Sequence, residues 1–316
     1  MIFKQDSNNT TEIKRGYALV AGVASLVTVA VLIGIKGFAY FQSDSVSILG
    51  SLVDSLMDAG VSLINFMAIR YSLKPADHEH RYGHGKIEGL AAMFQAAFIA
   101  GAGVFLVFES LRRFTKPEVT ESSLLVIGIM VVSVVLSLIL ILVQRFSLRY
   151  APSLAVEAEH AHYSGDILMN GGVIVVLLAL QYGAPSWLDP AFAVLIACYL
   201  GYTAKIIAEK GVNMLLDREL PDDLRAQIED IILQHPEAKG VHDLRTRKSG
   251  MDIYIAFDLE IDPDKSLRSA HAIALKVERK ILKAFPNAEI MIHTDPAGVP
   301  HIDSRNHKIE SRDEEI

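Results

Sequence analysis

Cysteine is almost absent from this chain of 316 residues: Cys198 stands alone. A single thiol excludes a disulfide framework and a thiolate metal cluster, and its apolar surroundings predict a small buried hydrophobe. Positive charge is scarce as well. The 30 Lys and Arg are outnumbered by 37 Asp and Glu, for a formal net charge of −7. That leaves no basic footprint, so no nucleic-acid partner is expected. A cleavable signal pattern is also missing. Met1 to Arg15 is polar, and the first hydrophobic helix is expected to target the chain by itself. What is plentiful is apolar sequence. Hydrophobic residues make up 51% of the chain, too many for an ordinary soluble protein and in keeping with a polytopic membrane protein in contact with a lipid bilayer.

A bilayer core takes about 20 apolar residues per helix. Six segments qualify: 17–40, 45–69, 89–108, 124–143, 155–182 and 191–207. The purely apolar part of the fifth, 167–180, is about 14 residues and too short to span. Extending it back through Glu157, His160, His162 and Asp166 gives a full span and draws polar groups to membrane depth. Six spans place both termini on one side. Lys4, Lys14 and Arg15 precede the first span; Arg70, Lys74, Arg81 and Lys86 follow the second; Arg145 and Arg149 follow the fourth. Arg112, Arg113 and Lys116 run against the trend. The positive-inside rule still favours both termini in the cytoplasm.

After residue 210 the pattern becomes that of a soluble domain. Residues 221–235 predict a helix with Pro221 at its first position. Residues 241–247 and 251–261 predict strands joined by a turn at Lys248-Ser249-Gly250. A second amphipathic helix over 266–285 and a strand over 289–293 complete an αββαβ order, an α+β sheet with helices on one face. At about 80 residues such a domain is near the lower limit for a self-sufficient core, so dimerisation or metal would support it. The expected organisation is thus a cytoplasmic N-terminal segment (1–15), a six-helix membrane domain (16–210), a cytoplasmic metal-binding domain (211–298) and a disordered tail (299–316).

Four ionisable residues stand out inside the hydrophobic runs. Asp54 and Asp58 are spaced i,i+4, as are His162 and Asp166. On helices each pair shares one face, about 6 Å apart along the axis. Carboxylates at membrane depth cost roughly 2.5–3.5 kcal/mol each on insertion scales, and like charges repel, so they need a compensating partner. Three carboxylates and an imidazole suit a divalent first-row metal in tetrahedral coordination, and protons compete for the same lone pairs. A second group, Asp77, His80 and His84, lies in a short glycine-containing loop able to close a metal site. A third, His242, His271, His293 and Asp295, is spread over the soluble domain and converges only if its sheet assembles as predicted. Lys36, inside the first span, is expected to snorkel to the far interface. Lys86 and Asp217 both fall at the cytoplasmic edge of the membrane block, where a salt bridge could fasten the two domains.

With these residues in hand, the chain resembles the cation diffusion facilitator family. The resemblance runs over about residues 12 to 298 and rests on SVSILGSLVDSLMDAGVSL (45–63), RYSLKPADHEHRYGHGK (70–86), HYSGDILMNG (162–171), LLDRELP (215–221), HDLRTRKSG (242–250) and IHTDP (292–296). It implies a transport site of Asp54, Asp58, His162 and Asp166, a loop site of Asp77, His80 and His84, and a binuclear site in a ferredoxin-like cytoplasmic domain that includes His242, His271, His293 and Asp295. It also implies a homodimer, a Lys86–Asp217 interlock at a hinge, and exchange of cytoplasmic Zn²⁺, with Fe²⁺, Cd²⁺ or Mn²⁺ as alternatives, for external protons. Asp258 departs from the family pattern, standing where a family member has His; an aspartate still ligates zinc.

Two rival functions compete with efflux. An intramembrane metalloenzyme needs an open metal position and a nearby general base, and no HExxH-type motif is present. A membrane metal sensor would signal through the soluble domain without moving metal. Flux into proteoliposomes separates efflux from both.

Overall fold

The computed structural model describes residues 2–43, 46–115, 124–185 and 187–298. Six long helices come first: α1 (Ile2–Ser43), α2 (Val46–Ser72), α3 (Ile87–Thr115), α4 (Leu124–Tyr150), α5 (Leu154–Gln181) and α6 (Leu188–Leu215). All six contain stretches long and apolar enough to cross a membrane. Much of their apolar surface, including Val31, Phe105, Leu142 and Leu195, faces outward, as a lipid-facing surface does. The expected tail beyond Pro300, and Lys116 between α3 and α4, lie outside the described residues.

Short-range chemistry sets the helix ends and packing. α5 begins where Ser153 accepts a hydrogen bond from the Val156 N–H, an N-cap. The buried Glu88 carboxylate joins this start: it accepts from the Leu154 N–H at 2.8 Å, the Ser153 hydroxyl at 2.9 Å and the Ser72 hydroxyl at 2.9 Å. One side chain of α3 thereby ties the end of α2 to the beginning of α5, the two helices that carry the intramembrane acids. α3 packs on α6 through facing glycines. A Cβ on Gly211 would lie 2.9 Å from the Gly89 carbonyl oxygen, so the backbones approach as only glycine allows.

Two expectations fail here. Cys198 is exposed on α6 rather than buried. An apolar run in a membrane helix has one face on protein and one on lipid, and composition does not say which face a residue takes. Lys36 does not snorkel outward. Its side chain is buried, and Nζ donates to Ser55 Oγ at 2.7 Å and to the Ser51 carbonyl at 3.1 Å. Snorkelling relieves an ammonium that lacks nearer partners; here α2 supplies them.

The C-terminal elements are α7 (Asp222–Leu233), β1 (Gly240–Ser249), β2 (Asp252–Ile261), α8 (Leu267–Ala284) and β3 (Ala288–Pro296), with strand order β1-β2-β3. Ile255, Phe257, Leu259 and Ile261 of β2 are buried, as are Ile228 and Ile232 of α7 and Ile273, Val277 and Ile281 of α8. The period-two and period-3.6 stripes thus line one core and leave the other sheet face free for polar groups. Pro221 caps α7 instead of opening it. By compactness the chain divides into two units, residues 1–219 with 247–253, and residues 220–246 with 254–316. The tip of the β1–β2 hairpin therefore groups with the helical unit.

Candidate metal centres

In the helical bundle, Asp58 of α2 meets His162 and Asp166 of α5. His162 Nε2 lies 3.2 Å from Asp58 Oδ1 and 3.6 Å from Asp166 Oδ2, and the ligand atoms of all three lie within 4.8 Å of one another. A tetrahedral ion with bonds near 2.1 Å sets its donors about 3.4 Å apart. The cluster therefore has the span of a first-row divalent cation. The imidazole is held by the rings of Phe98 and Tyr163, at centroid distances of 5.7 and 5.5 Å. Asp54, one turn back on α2, is exposed and stands outside this group.

A polar layer that the sequence reading passed over lies toward the α2–α3 loop from this cluster. Tyr163 and Ser62 share a hydrogen bond of 3.2 Å, Asn65 Nδ2 donates to Gln95 Oε1 at 2.9 Å, and Gln144 Nε2 donates to Ser25 Oγ at 3.2 Å. Glu159 is buried beside it, and among the described residues neither of its carboxylate oxygens has a hydrogen-bond partner. The only sequence signal for this layer is the presence of Gln, Asn and Glu in apolar helices.

The second cluster is in the loop between α2 and α3. Asp77 Oδ1 accepts the His80 N–H at 2.6 Å and the Glu79 N–H at 3.0 Å. These bonds, led by the His80 N–H, hold its carboxyl below the usual range. Asp77 then lies 3.2 Å from His80 Nδ1 and 3.3 Å from His84 Nε2, again the spacing of donors around a small cation. His84 is buried against Tyr71 while His80 is exposed. A cavity of about 320 Å³ opens beside them, with Tyr82, Lys86 and Arg247 in its lining. A Cβ at Gly85 would collide with the Ser249 carbonyl oxygen, so the hairpin tip rests directly on this loop.

Lys86 Nζ lies 2.9 Å from Asp217 Oδ2, and Arg247 adds a second cation, 3.3 Å from Asp217 Oδ1. The family resemblance implied the first pair, and neither it nor the local sequence pointed to Arg247. Burial raises the Asp217 carboxyl, but the bonds from Lys86 and Arg247 outweigh it and leave its pKa below the usual value. Asp217 also adopts a left-handed backbone, φ 54°, which few non-glycine residues do.

The third cluster is on the polar face of the sheet. His242 of β1 lies 3.6 Å from Asp258 Oδ2 of β2 and 3.6 Å from Asp295 Oδ2 of β3. His293 Nε2 is 2.9 Å from Asp295 Oδ1. Glu260, which the sequence reading did not single out, stands 3.6 Å from His242 Nε2; its two-residue spacing from Asp258 was the available signal. His271 is exposed on α8 and stands outside the cluster. The three donors from adjacent strands have the chemistry and span of a zinc site.

Comparison with known proteins places both halves of the chain. The cation efflux transmembrane domain matches residues 22–216, and the cation efflux protein cytoplasmic domain matches residues 220–297. The cation-efflux pump FieF of Shewanella oneidensis is 44% identical over 279 residues, covering 88% of this chain and 94% of that protein. The pump of the same name from Yersinia pestis is 42% identical, covering 88% and 93%. Among solved structures, the metal-bound C-terminal domain of the CzcD transporter from Thermotoga maritima is 28% identical over 25% of this chain and 93% of that one, with a TM-score of 0.24. The relatives are named as transporters and not as enzymes. With six membrane-length helices, an appended small sheet domain and matches across both, the chain belongs to the cation efflux family and is a multi-pass exporter of metal cations.

Proposed function

We propose that the protein exports Zn²⁺ from the cytoplasm in exchange for protons. It does so as a homodimer in a bacterial inner membrane, with both termini cytoplasmic. The observation that carries this reading is the convergence of Asp58, His162 and Asp166 from two membrane-length helices. Asp54, on the same face of α2, completes a tetrahedral donor set by a one-turn adjustment. The cargo must find His162 neutral and the carboxylates ionised, so loading releases protons and protonation releases metal. Oxygen and imidazole donors also accept Fe²⁺, Cd²⁺ and Mn²⁺, and geometry decides among them.

Asp77, His80 and His84 would form a second site at the loop. His242, Asp258 and Asp295, with His293 and His271 at hand, would form a third in the cytoplasmic domain, where Zn²⁺ would cross-link three strands of a domain with a small core. Lys86, Asp217 and Arg247 would hold the chain at the end of α6. The match to the cation efflux cytoplasmic domain supports pairing through that part of the chain. The test is metal uptake by reconstituted vesicles under an imposed pH gradient, run with Zn²⁺, Fe²⁺, Cd²⁺ and Mn²⁺. Gradient-driven uptake fastest for Zn²⁺ supports the reading; uptake indifferent to the gradient overturns it.

A further inference from the structure

Lys36 sits on α1, a helix that supplies none of the candidate ligands. Its side chain is 8% exposed and is anchored on Ser55 Oγ and the Ser51 carbonyl of α2. Ser51 and Ser55 are spaced i,i+4 and Asp58 follows Ser55 at i,i+3, with Asp54 beside them, so the ammonium is fixed to the same face of α2 that presents the acids. The charged groups that face it are Asp58 and Asp54 on α2 and Asp166 on α5. Among the described residues none of these carboxylates comes within 4.0 Å of Nζ as an ion pair. The charge is therefore close enough to be felt by the acids and too far to occupy their lone pairs.

We propose that Lys36 is a tethered counter-cation of the membrane site, one that competes electrostatically with the transported metal. This rests on the assignment of the transport site made above. With the metal absent, the ammonium offsets the repulsion among the acids and keeps the empty site stable. With a divalent cation bound, the same ammonium is a like charge nearby and weakens the complex. A transporter gains from that: a site that holds its cargo too tightly does not release it. Serine partners suit this role, because they hold the ammonium without neutralising it.

The test is zinc transport by the full chain in vesicles, comparing wild type with Lys36→Met and Lys36→Arg. Removing the charge should lower KM for zinc roughly tenfold, a common size for one unit charge acting inside a protein, and lower the maximal rate as release slows. Lys36→Arg keeps the charge and should keep both values near wild type. Tighter apparent binding with slower turnover is a result that mere structural damage does not give. An unchanged or raised KM in Lys36→Met overturns the proposal. If that variant does not assemble in the membrane, Lys36→Gln retains a donor for Ser55 and reads the same parameters. Asp166→Ala separates the two levels. If it still transports, the site assignment fails; if it is inactive while Lys36→Met has a wild-type KM, the inference about Lys36 alone fails.

Discussion

His162 in the bundle lies 3.2–3.6 Å from two carboxylates and His242 on the sheet lies 3.6 Å from three, yet they are held differently. His162 and Asp166 are four residues apart on one helix, so their separation is fixed by helix geometry, and only Asp58 comes from a second element. Rotating or sliding α2 against α5 would open this cluster without breaking a secondary-structure bond. His242, Asp258 and Asp295 come from three hydrogen-bonded strands. The Lys239 N–H donates to the Glu260 carbonyl at 2.9 Å and the Ala297 N–H to the Ile261 carbonyl at 2.8 Å. That cluster cannot open unless the sheet does. Similar donors are thus held by two helices free to shift in one place and by one hydrogen-bonded sheet in the other.

The comparison breaks most visibly in transport. Asp58→Ala or Asp166→Ala should reduce zinc flux by at least about 100-fold, since each removes a donor from a site with few to spare, while the protein stays folded because like-charge repulsion is relieved. His242→Ala should leave flux within a few-fold of wild type and abolish the zinc-induced rise in melting temperature of the cytoplasmic domain. At zinc concentrations 100 times Kd that rise reflects about 2.7 kcal/mol. Near-normal flux in the first pair, or a zinc-stabilised His242→Ala, would erase the distinction.

A smaller effect is expected at Gly85. Gly85→Ala forces a methyl group against the Ser249 carbonyl, and overpacking of this kind costs about 1–3 kcal/mol. Thermal melting of the variant should show that loss, and an unchanged melt would mean that the hairpin tip yields freely. The smallest effect concerns Asp217. Its pKa is depressed in the folded protein, so its pairing stabilises fully above the unfolded value near 3.9 and is lost as pH falls through the folded value. Asp217 and Lys86 are each more than a third exposed, which limits the effect to less than about 1 kcal/mol. Asp217→Asn should lower stability at pH 7 and flatten the acid limb of the pH–stability curve. Identical limbs in the two proteins would remove Asp217 from the account.

Much of this architecture is legible in the sequence. Extending the fifth span back through His162 and Asp166 anticipated α5, which runs from Leu154 to Gln181, because only that extension reaches membrane length. Alternation over Ile253 to Ile261 gave the buried face of β2, although Ile253 at its start is only half-buried. What stays hidden is rotation and partner choice. Asp54 and Asp58 are equivalent in sequence and share one face of α2, but only Asp58 joins His162 and Asp166. Lys36 looked like a group that leaves the bundle because its partners, Ser51 and Ser55, lie on another helix. Arg247 joins Lys86 at Asp217 through the hairpin tip, a contact that no local pattern encodes.

The central claim is that protons and zinc compete for the bundle cluster. It is tested most directly by zinc binding to the full chain with the loop and sheet clusters disabled through Asp77→Ala and His242→Ala, measured between about pH 7.5 and 5.5, the range that brackets imidazole titration. Affinity should fall at least tenfold on acidification, with protons released as zinc binds. An affinity that stays constant across that range, with no proton release, would contradict exchange at this site.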